Sequence, residues 1–297
     1  MIENYQEYKQ MIDDSLLYFL PKVDEKSEVL REAMEYSLTA GGKRLRPVLL
    51  LSACEFAGTN CKEALPFACA MEYIQTYSLI HDDHPSMDND DLRRGKPTNH
   101  KVFGDGMAIL AGDGLLNSAY EVMTKDMFLH LDQPDKLKRR IKAMYAIAKA
   151  AGVDGMISGQ AADIDNENKM CSKEMVEYIH LNKTAALIVS AIRAGLHIGG
   201  ADDEMLKSMT IYAENLGLAY QILDDILDVE GSSEEMGKAT GGDEKNHKAT
   251  FVSCYGLEAS YKRLNQLTEN AIAAIEDYYD NAEFFKNLVI SLSKRNK

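Results

Sequence analysis

The stretch Gly217-Leu-Ala-Tyr-Gln-Ile-Leu-Asp-Asp-Ile-Leu-Asp-Val-Glu-Gly231 reads as a helix with two faces. Leu216 just before it, Ala219, Leu223, Ile226 and Leu227 form a broad apolar side, while Gln221, Asp224 and Asp228 fall at i, i+3 and i+7 on another. Asp224 and Asp228 therefore share a face, and Asp225 is turned about 100° away. Gly217 is read on the same side as Gln221, so the polar stripe is expected to face a cavity rather than solvent. The rest of the chain carries the same helical signal, with breaks at Thr39–Gly42, Ala57–Asn60, Asp132–Pro134, Ile198–Asp202 and 231–247. Only 6 prolines occur, Met and Ala are frequent, and 45% of residues are hydrophobic, a composition that favours helix and a large core. With no linker and no low-complexity segment, the expectation is all-α: one helical bundle around a central cavity, residues 1–297.

A second acidic cluster, His81-Asp82-Asp83-His84-Pro85-Ser86-Met87-Asp88, stands far upstream. On a plain helix, i+6 lies opposite i. Proline removes a helical hydrogen bond and clashes with the preceding turn, so Pro85 is expected to bulge the chain and bring Asp88 back beside Asp82. Carboxylates gathered this way repel unless a cation lies between them, and oxygen-only donors suit magnesium carrying a phosphate substrate. Arg93 and Arg94 follow within two turns and suit a diphosphate. The run Gly41-Gly42-Lys43-Arg44-Leu45-Arg46-Pro47 adds a glycine turn at a basic helix start, where N–H groups and cations meet anions. Lys43 and Arg46 are read on one face, with Arg44 pointing elsewhere into a structural ion pair. The two clusters and these cations together point to metal-assisted diphosphate chemistry.

Other classes drop out. A net charge of −14 does not suit a nucleic-acid surface, so local cations must meet any anionic substrate. No GxGxxG or GxxxxGK[ST] run is present. Five cysteines, Cys54, Cys61, Cys69, Cys171 and Cys254, are odd in number and include no CxxC, which reads as reduced thiols rather than a disulfide framework or zinc site. His81 beside Asp82 suggests an HD-type phosphohydrolase, but the further spaced histidines of such a site are not evident. The N-terminus has no signal-peptide pattern and no run reaches about 18 apolar residues, so a cytoplasmic protein without a membrane span is expected.

With these residues assembled, the chain resembles the trans-isoprenyl diphosphate synthase family, most closely its bacterial farnesyl-forming members. The carriers are GGKRLRP at 41–47, SLIHDD with its two-residue expansion to Asp88, DNDDLRRGKPTNH at 88–100, GMISGQAADID at 155–165, NKTAALI at 182–188, GLAYQILDDILDVEG at 217–231 and GKATGGDEKNHKATFV at 237–252. The resemblance implies about three magnesium ions with substrate bound. Asp82 and Asp88 would hold two of them, Asp224 the third, and Asp228 would act through water. Arg93, Lys183, Gln221, Lys238 and Lys248 resemble the contacts to the allylic diphosphate, and Lys43, Arg46, Gln75 and Arg94 the isopentenyl diphosphate site. Gln75 stands where many bacterial members carry His. Thr184 and Gln221, grouped with Lys183 as catalytic, resemble residues whose oxygens favour a developing carbocation. Gln160 and Asp163 resemble residues that orient metal-bound water and lysine. His84 departs from the usual Leu and is read as a neutral loop residue in preference to a phosphate contact. The segment 231–248, with Lys238, Lys245 and Lys248, is a candidate lid.

The implied chemistry is head-to-tail condensation of isopentenyl diphosphate with dimethylallyl and then geranyl diphosphate, in a homodimer. Tyr77 and Ser78 lie roughly 6 to 8 Å below Asp82 along a helix axis, where a ring can form a floor. The expected product is farnesyl diphosphate, C15, with geranylgeranyl diphosphate as the alternative. A noncatalytic partner subunit would lose an acidic cluster, and a terpene cyclase does not require the second diphosphate site that Lys43, Arg46 and Arg94 supply.

Overall fold

The computed structural model describes residues 4–167, 169, 171–230 and 250–293. Its frame is helical: α1 (Tyr5–Phe19), α2 (Glu28–Leu38), α3 (Leu45–Phe56), α4 (Leu65–Asp82), α5 (Asn99–Phe103), α6 (Asp105–Phe128), α7 (Pro134–Ala151), α8 (Met156–Asp165), α9 (Lys173–Ile179), α10 (Ala186–Gly199) and α11 (Asp203–Glu230). Helices Phe251–Tyr255, Leu257–Ala274 and Glu283–Ser293 follow. The first four expected breaks fall where the chain stops its helices, and the fifth, 231–247, lies outside the described residues. α2 ends at Leu38, α3 at Phe56, Pro134 opens α7, and Gly200, at φ 88°, closes α10.

The all-α expectation holds, with one small departure. Leu92–Arg93 and Lys96–Pro97 form an antiparallel hairpin in the register Leu92↔Pro97 and Arg93↔Lys96. Its two turn residues, Arg94 and Gly95, both have positive φ, 55° and 75°, which is the primed turn that two-residue hairpins favour.

α3, α4 and α10 are apolar around most of their circumference, so they occupy the middle of the bundle. Leu49, Leu50 and Leu51 on α3, Phe67 and Ile74 on α4, and Leu187, Ile188 and Ile192 on α10 are wholly buried there. α10 meets α3 closely because Gly195 and Gly199 offer no side chain. A Cβ on Gly195 would stand 2.1 Å from the Leu50 carbonyl oxygen. The 28-residue α11 joins two apolar clusters. Its Met209, Tyr212 and Leu216 pack into the main core, and Ile222, Leu223 and Ile226 into a second cluster with Phe251, Leu264 and Leu267. Between α9 and α10 the chain makes one turn of π-helix, His180–Ala185, a geometry that often marks a functional position. Among the described residues no helix is long and apolar enough to cross a membrane.

Candidate active site

A cavity of about 740 Å³ opens where α4, α8, the π turn and α11 converge. Asp82 and Asp88 line it from the end of α4, and Asp224 and Asp228 from α11. The two acidic clusters thus contribute to one cavity. The bulge expected at Pro85 is present: α4 stops at Asp82, and the Asp88 N–H donates to the Asp82 carbonyl at 2.9 Å. That bond pulls the chain back over six residues.

Gln160 Nε2 donates to Asp82 Oδ1 at 2.6 Å, and Lys183 Nζ donates to Asp163 Oδ2 at 2.7 Å while standing 3.9 Å from Asp82 Oδ1. α8 and the π turn therefore hold an amide and a cation over the first carboxylates. Gly159 makes this possible, because a Cβ there would lie 2.2 Å from the Lys183 backbone nitrogen. Gly159→Ala is expected to push the π turn away, to cost about 1–3 kcal/mol of stability and to lower kcat at least tenfold. Thermal melting and steady-state kinetics check this; wild-type values for both would mean that the close crossing does not position Lys183.

Thr184 Oγ1 donates to Gln221 Oε1 at 2.7 Å, and Gln221 Nε2 donates to Asp225 Oδ1 at 3.0 Å. Asp225 also accepts from the Phe251 N–H at 2.6 Å and faces His180 Nε2 at 3.3 Å. Burial holds the His180 imidazole down to about 4, so it is neutral. Asp225 ties α11 to the π turn and to Phe251, which agrees with its rotation away from Asp224. Gly217 lies on the same side as Gln221, as read, but packs on the π turn instead of lining the cavity. It faces the π turn, where a Cβ would stand 2.6 Å from Ala185 Cβ, because the close approach of two backbones needs a residue without a side chain.

The basic residues gather at one side of the cavity. α3 begins at Leu45, so Lys43 precedes the helix instead of sharing a helical face with Arg46; both still line the cavity, with Gln75 and Arg94. The reason is the backbone: Gly41, Gly42 and Arg44 have φ of 85°, 115° and 53°, which no helix continues. Arg44 is structural as expected, bonded to Asp13 (2.8 Å), Glu72 (2.6 Å) and the Leu38 carbonyl (2.7 Å). Arg94 donates to the Gly41 carbonyl and lies against Gly42, where a Cβ would meet its guanidinium carbon at 2.5 Å. Burial pulls both the Arg46 and Arg94 guanidinium groups below their usual range. Neither has a salt-bridged carboxylate among the described residues, and Arg46 Nε is buried with no hydrogen-bond partner. Half-buried cations in that state, lining a cavity, call for an anion. Arg93, also lining the cavity, is by contrast already paired with Asp83 and Asp90. Burial pushes the Asp83 carboxyl up to about 6, against the pull of Arg93.

Tyr77 and Ser78 line the cavity below Asp82. Tyr77 is buried, its ring set edge-on to His81 at 5.6 Å, and burial pushes its hydroxyl up to about 12. His81 Nε2 lies 3.1 Å from the Ile109 carbonyl and against Gly112, so it packs on α6 and gathers no other histidine. Lys238, Lys245 and Lys248, with the rest of the 231–248 candidate lid, lie outside the described residues.

Sequence reasoning missed Tyr220, which lines the cavity where the Asp224 carboxylate and burial hold its hydroxyl above the ordinary value. It also missed the pairing of Arg93 with Asp83 and Asp90, and the buried His180. Only the adjacency of Tyr220 to Gln221 was available as a signal.

Among the described residues no three Asp, Glu, His or Cys side chains form a ready-made metal cage. The donors that do face the cavity fit magnesium in kind, since this hard cation takes oxygen, keeps several waters, and is bound through one or two carboxylates plus substrate phosphates.

A model of the family described as polyprenyl synthetase matches residues 27–286. Farnesyl diphosphate synthase of Geobacillus stearothermophilus is 48% identical over 258 residues, covering 87% of this chain and 85% of that protein. Geranylgeranyl diphosphate synthase of Cyanophora paradoxa is 41% identical over 279 residues, 93% and 89% of the two chains. The crystal structure of an FPP/GFPP synthase from Zymomonas mobilis superposes with a TM-score of 0.85 at 34% identity, covering 97% of each chain. The facing acidic clusters and the half-buried Arg46 and Arg94 agree with this match, and the chain belongs to the polyprenyl synthetase family of prenyltransferases.

Proposed function

We propose that the protein condenses isopentenyl diphosphate with dimethylallyl and then geranyl diphosphate, head to tail, to give (E,E)-farnesyl diphosphate. The observation that carries this reading is the pair of anion positions in one cavity: Lys183 beside the carboxylates, and the half-buried Arg46 and Arg94, which have no carboxylate partner among the described residues. One diphosphate is an allylic donor, and the other belongs to the acceptor that must survive the reaction.

Asp82, Asp88, Asp224 and, by way of water, Asp228 would hold about three magnesium ions, which would supply the positive charge that a departing allylic diphosphate needs. Lys183, kept in place by Asp163, and Arg93 add charge-assisted hydrogen bonds to the same leaving group. Lys238 and Lys248 belong to this set in the proposal. The allylic C–O bond breaks, and the double bond of isopentenyl diphosphate, anchored by Lys43, Arg46, Gln75 and Arg94, closes on the allylic carbon. The Thr184 and Gln221 oxygens, fixed by their mutual bond, offer lone-pair density to the carbocation without becoming nucleophiles. The proton lost from the acceptor goes to a diphosphate oxygen.

The C15 limit rests on Tyr77 as a floor. Tyr77→Ala is expected to lengthen the main product to C20 or beyond, read by mass spectrometry of the hydrolysed products. An unaltered distribution removes Tyr77 from the explanation of chain length. Geranylgeranyl diphosphate is the second reading, since a synthase of that name is nearly as similar to this chain as the farnesyl enzyme. Wild-type protein that makes mainly C20 decides for it.

A further inference from the structure

His84 and His100 are both buried, 9% and 6% exposed, and each leaves its Nε2 without a hydrogen-bond partner. Their tautomers follow from the bonds that the other ring nitrogens make. The Ser86 N–H donates to His84 Nδ1 at 3.2 Å, so the His84 proton is on Nε2. Thr98 Oγ1 gives its only proton to the Asp90 carbonyl at 2.7 Å, and so must accept at 3.1 Å from the His100 Nδ1–H. His100 Nε2 is therefore a bare acceptor, and burial, acting with Lys101, holds its imidazole below the usual value.

One ring thus presents an unused donor and its neighbour an unused acceptor. The ring centroids are 6.2 Å apart. That is too far for the two nitrogens to share a hydrogen bond of about 3 Å, and suits one bridging molecule that both accepts and donates. A metal ion does not fit, because a lone pair on His84 Nε2 would move the proton to Nδ1, against the Ser86 N–H.

We infer that one water molecule is held between His84 and His100, and that this brace positions the loop carrying Asp88. His84 is the hub of that loop. Its carbonyl accepts from the Met87 and Asn89 N–H groups at 2.8 and 3.1 Å, and its ring accepts from Ser86. His100, at the start of α5, anchors the other end through Thr98, whose N–H and hydroxyl bond the Asp91 and Asp90 carbonyls. The water joins the two ends across the hairpin. It is a further tie on the loop that carries Asp88, besides the Asp88–Asp82 backbone bond. The inference about the water stands on the rings alone, whereas its effect on magnesium rests on the proposed function.

The test uses the full chain labelled with ¹⁵N-histidine. Ring nitrogen shifts are expected to give opposite tautomers, Nε2–H for His84 and Nδ1–H for His100, with the His84 ring proton in contact with a long-lived water signal. Like tautomers, or no such contact, overturn the brace. Calorimetry with magnesium and inorganic diphosphate then reads its consequence. His84→Leu and His100→Leu are each expected to weaken magnesium binding about fivefold, and the double variant to be no weaker than either single one. Independent, multiplicative losses, or unchanged affinity in folded His84→Leu, overturn the positioning role. Wild-type protein that binds no magnesium with diphosphate would overturn the proposed function while leaving the tautomer result to decide the water.

Discussion

Asp82→Asn is expected to lower kcat by about 10³-fold at saturating magnesium, the upper end of what removing one preorganised charge-stabilising group costs. Asparagine keeps the size of the side chain, and its Oδ1 still accepts from Gln160 Nε2, which bonds Asp82 at 2.6 Å in the wild type. Folding should therefore be retained, with a melting temperature within about 4 °C of wild type. What disappears is a negative charge on the α4 wall of the cavity, beside Asp88 and across from Asp224 and Asp228. Raising magnesium should recover only part of the loss, because in the proposed site the remaining carboxylates would hold the ion in a weaker set. A variant that keeps more than a tenth of wild-type turnover would remove Asp82 from the metal-binding role.

Lys183→Ala carries the second large effect. Its ammonium stands 3.9 Å from Asp82 and is aimed by Asp163. Deleting it should cut kcat by about 10²-fold through loss of a charge-assisted bond to the leaving diphosphate. It also takes from the buried Asp163 its bond to Lys183. Losing a hydrogen bond between charged groups costs about 1.5–3 kcal/mol, so thermal stability should fall as well. Lys183→Arg separates the two effects, because it restores charge near Asp163 and is expected to recover stability more fully than rate. Equal recovery of both would make Lys183 a structural cation only.

The fold was largely legible because its signals are local. Helix breaks at Gly41-Gly42, Pro134 and Gly200 follow from backbone chemistry that acts over a few residues, and the apolar sides of α3, α4 and α10 mark the centre of the bundle. The bulge after Asp82 was legible for the same reason, since proline forces it. The partners of site residues were not. Nothing in the spacing of Asp83, Asp90 and Arg93 says that the arginine is already paired, whereas Arg46 and Arg94 stay without a carboxylate. Gly217 and Gly159 were equally opaque, because what a missing Cβ avoids is a residue distant in sequence: Ala185 for one and Lys183 for the other. His84 was read as a loop residue from its neighbours, and its ring does hold the loop, but the facing nitrogen of His100 comes from a different turn of chain. Long-range pairing is a property of the packed bundle, and a single helix pattern does not encode it.

The most direct test is incubation of the purified protein with isopentenyl and dimethylallyl diphosphates, with and without magnesium, followed by mass spectrometry of the products. Magnesium-dependent formation of a C15 diphosphate is the predicted result. Absence of any elongated product in the presence of magnesium would contradict the account at its centre.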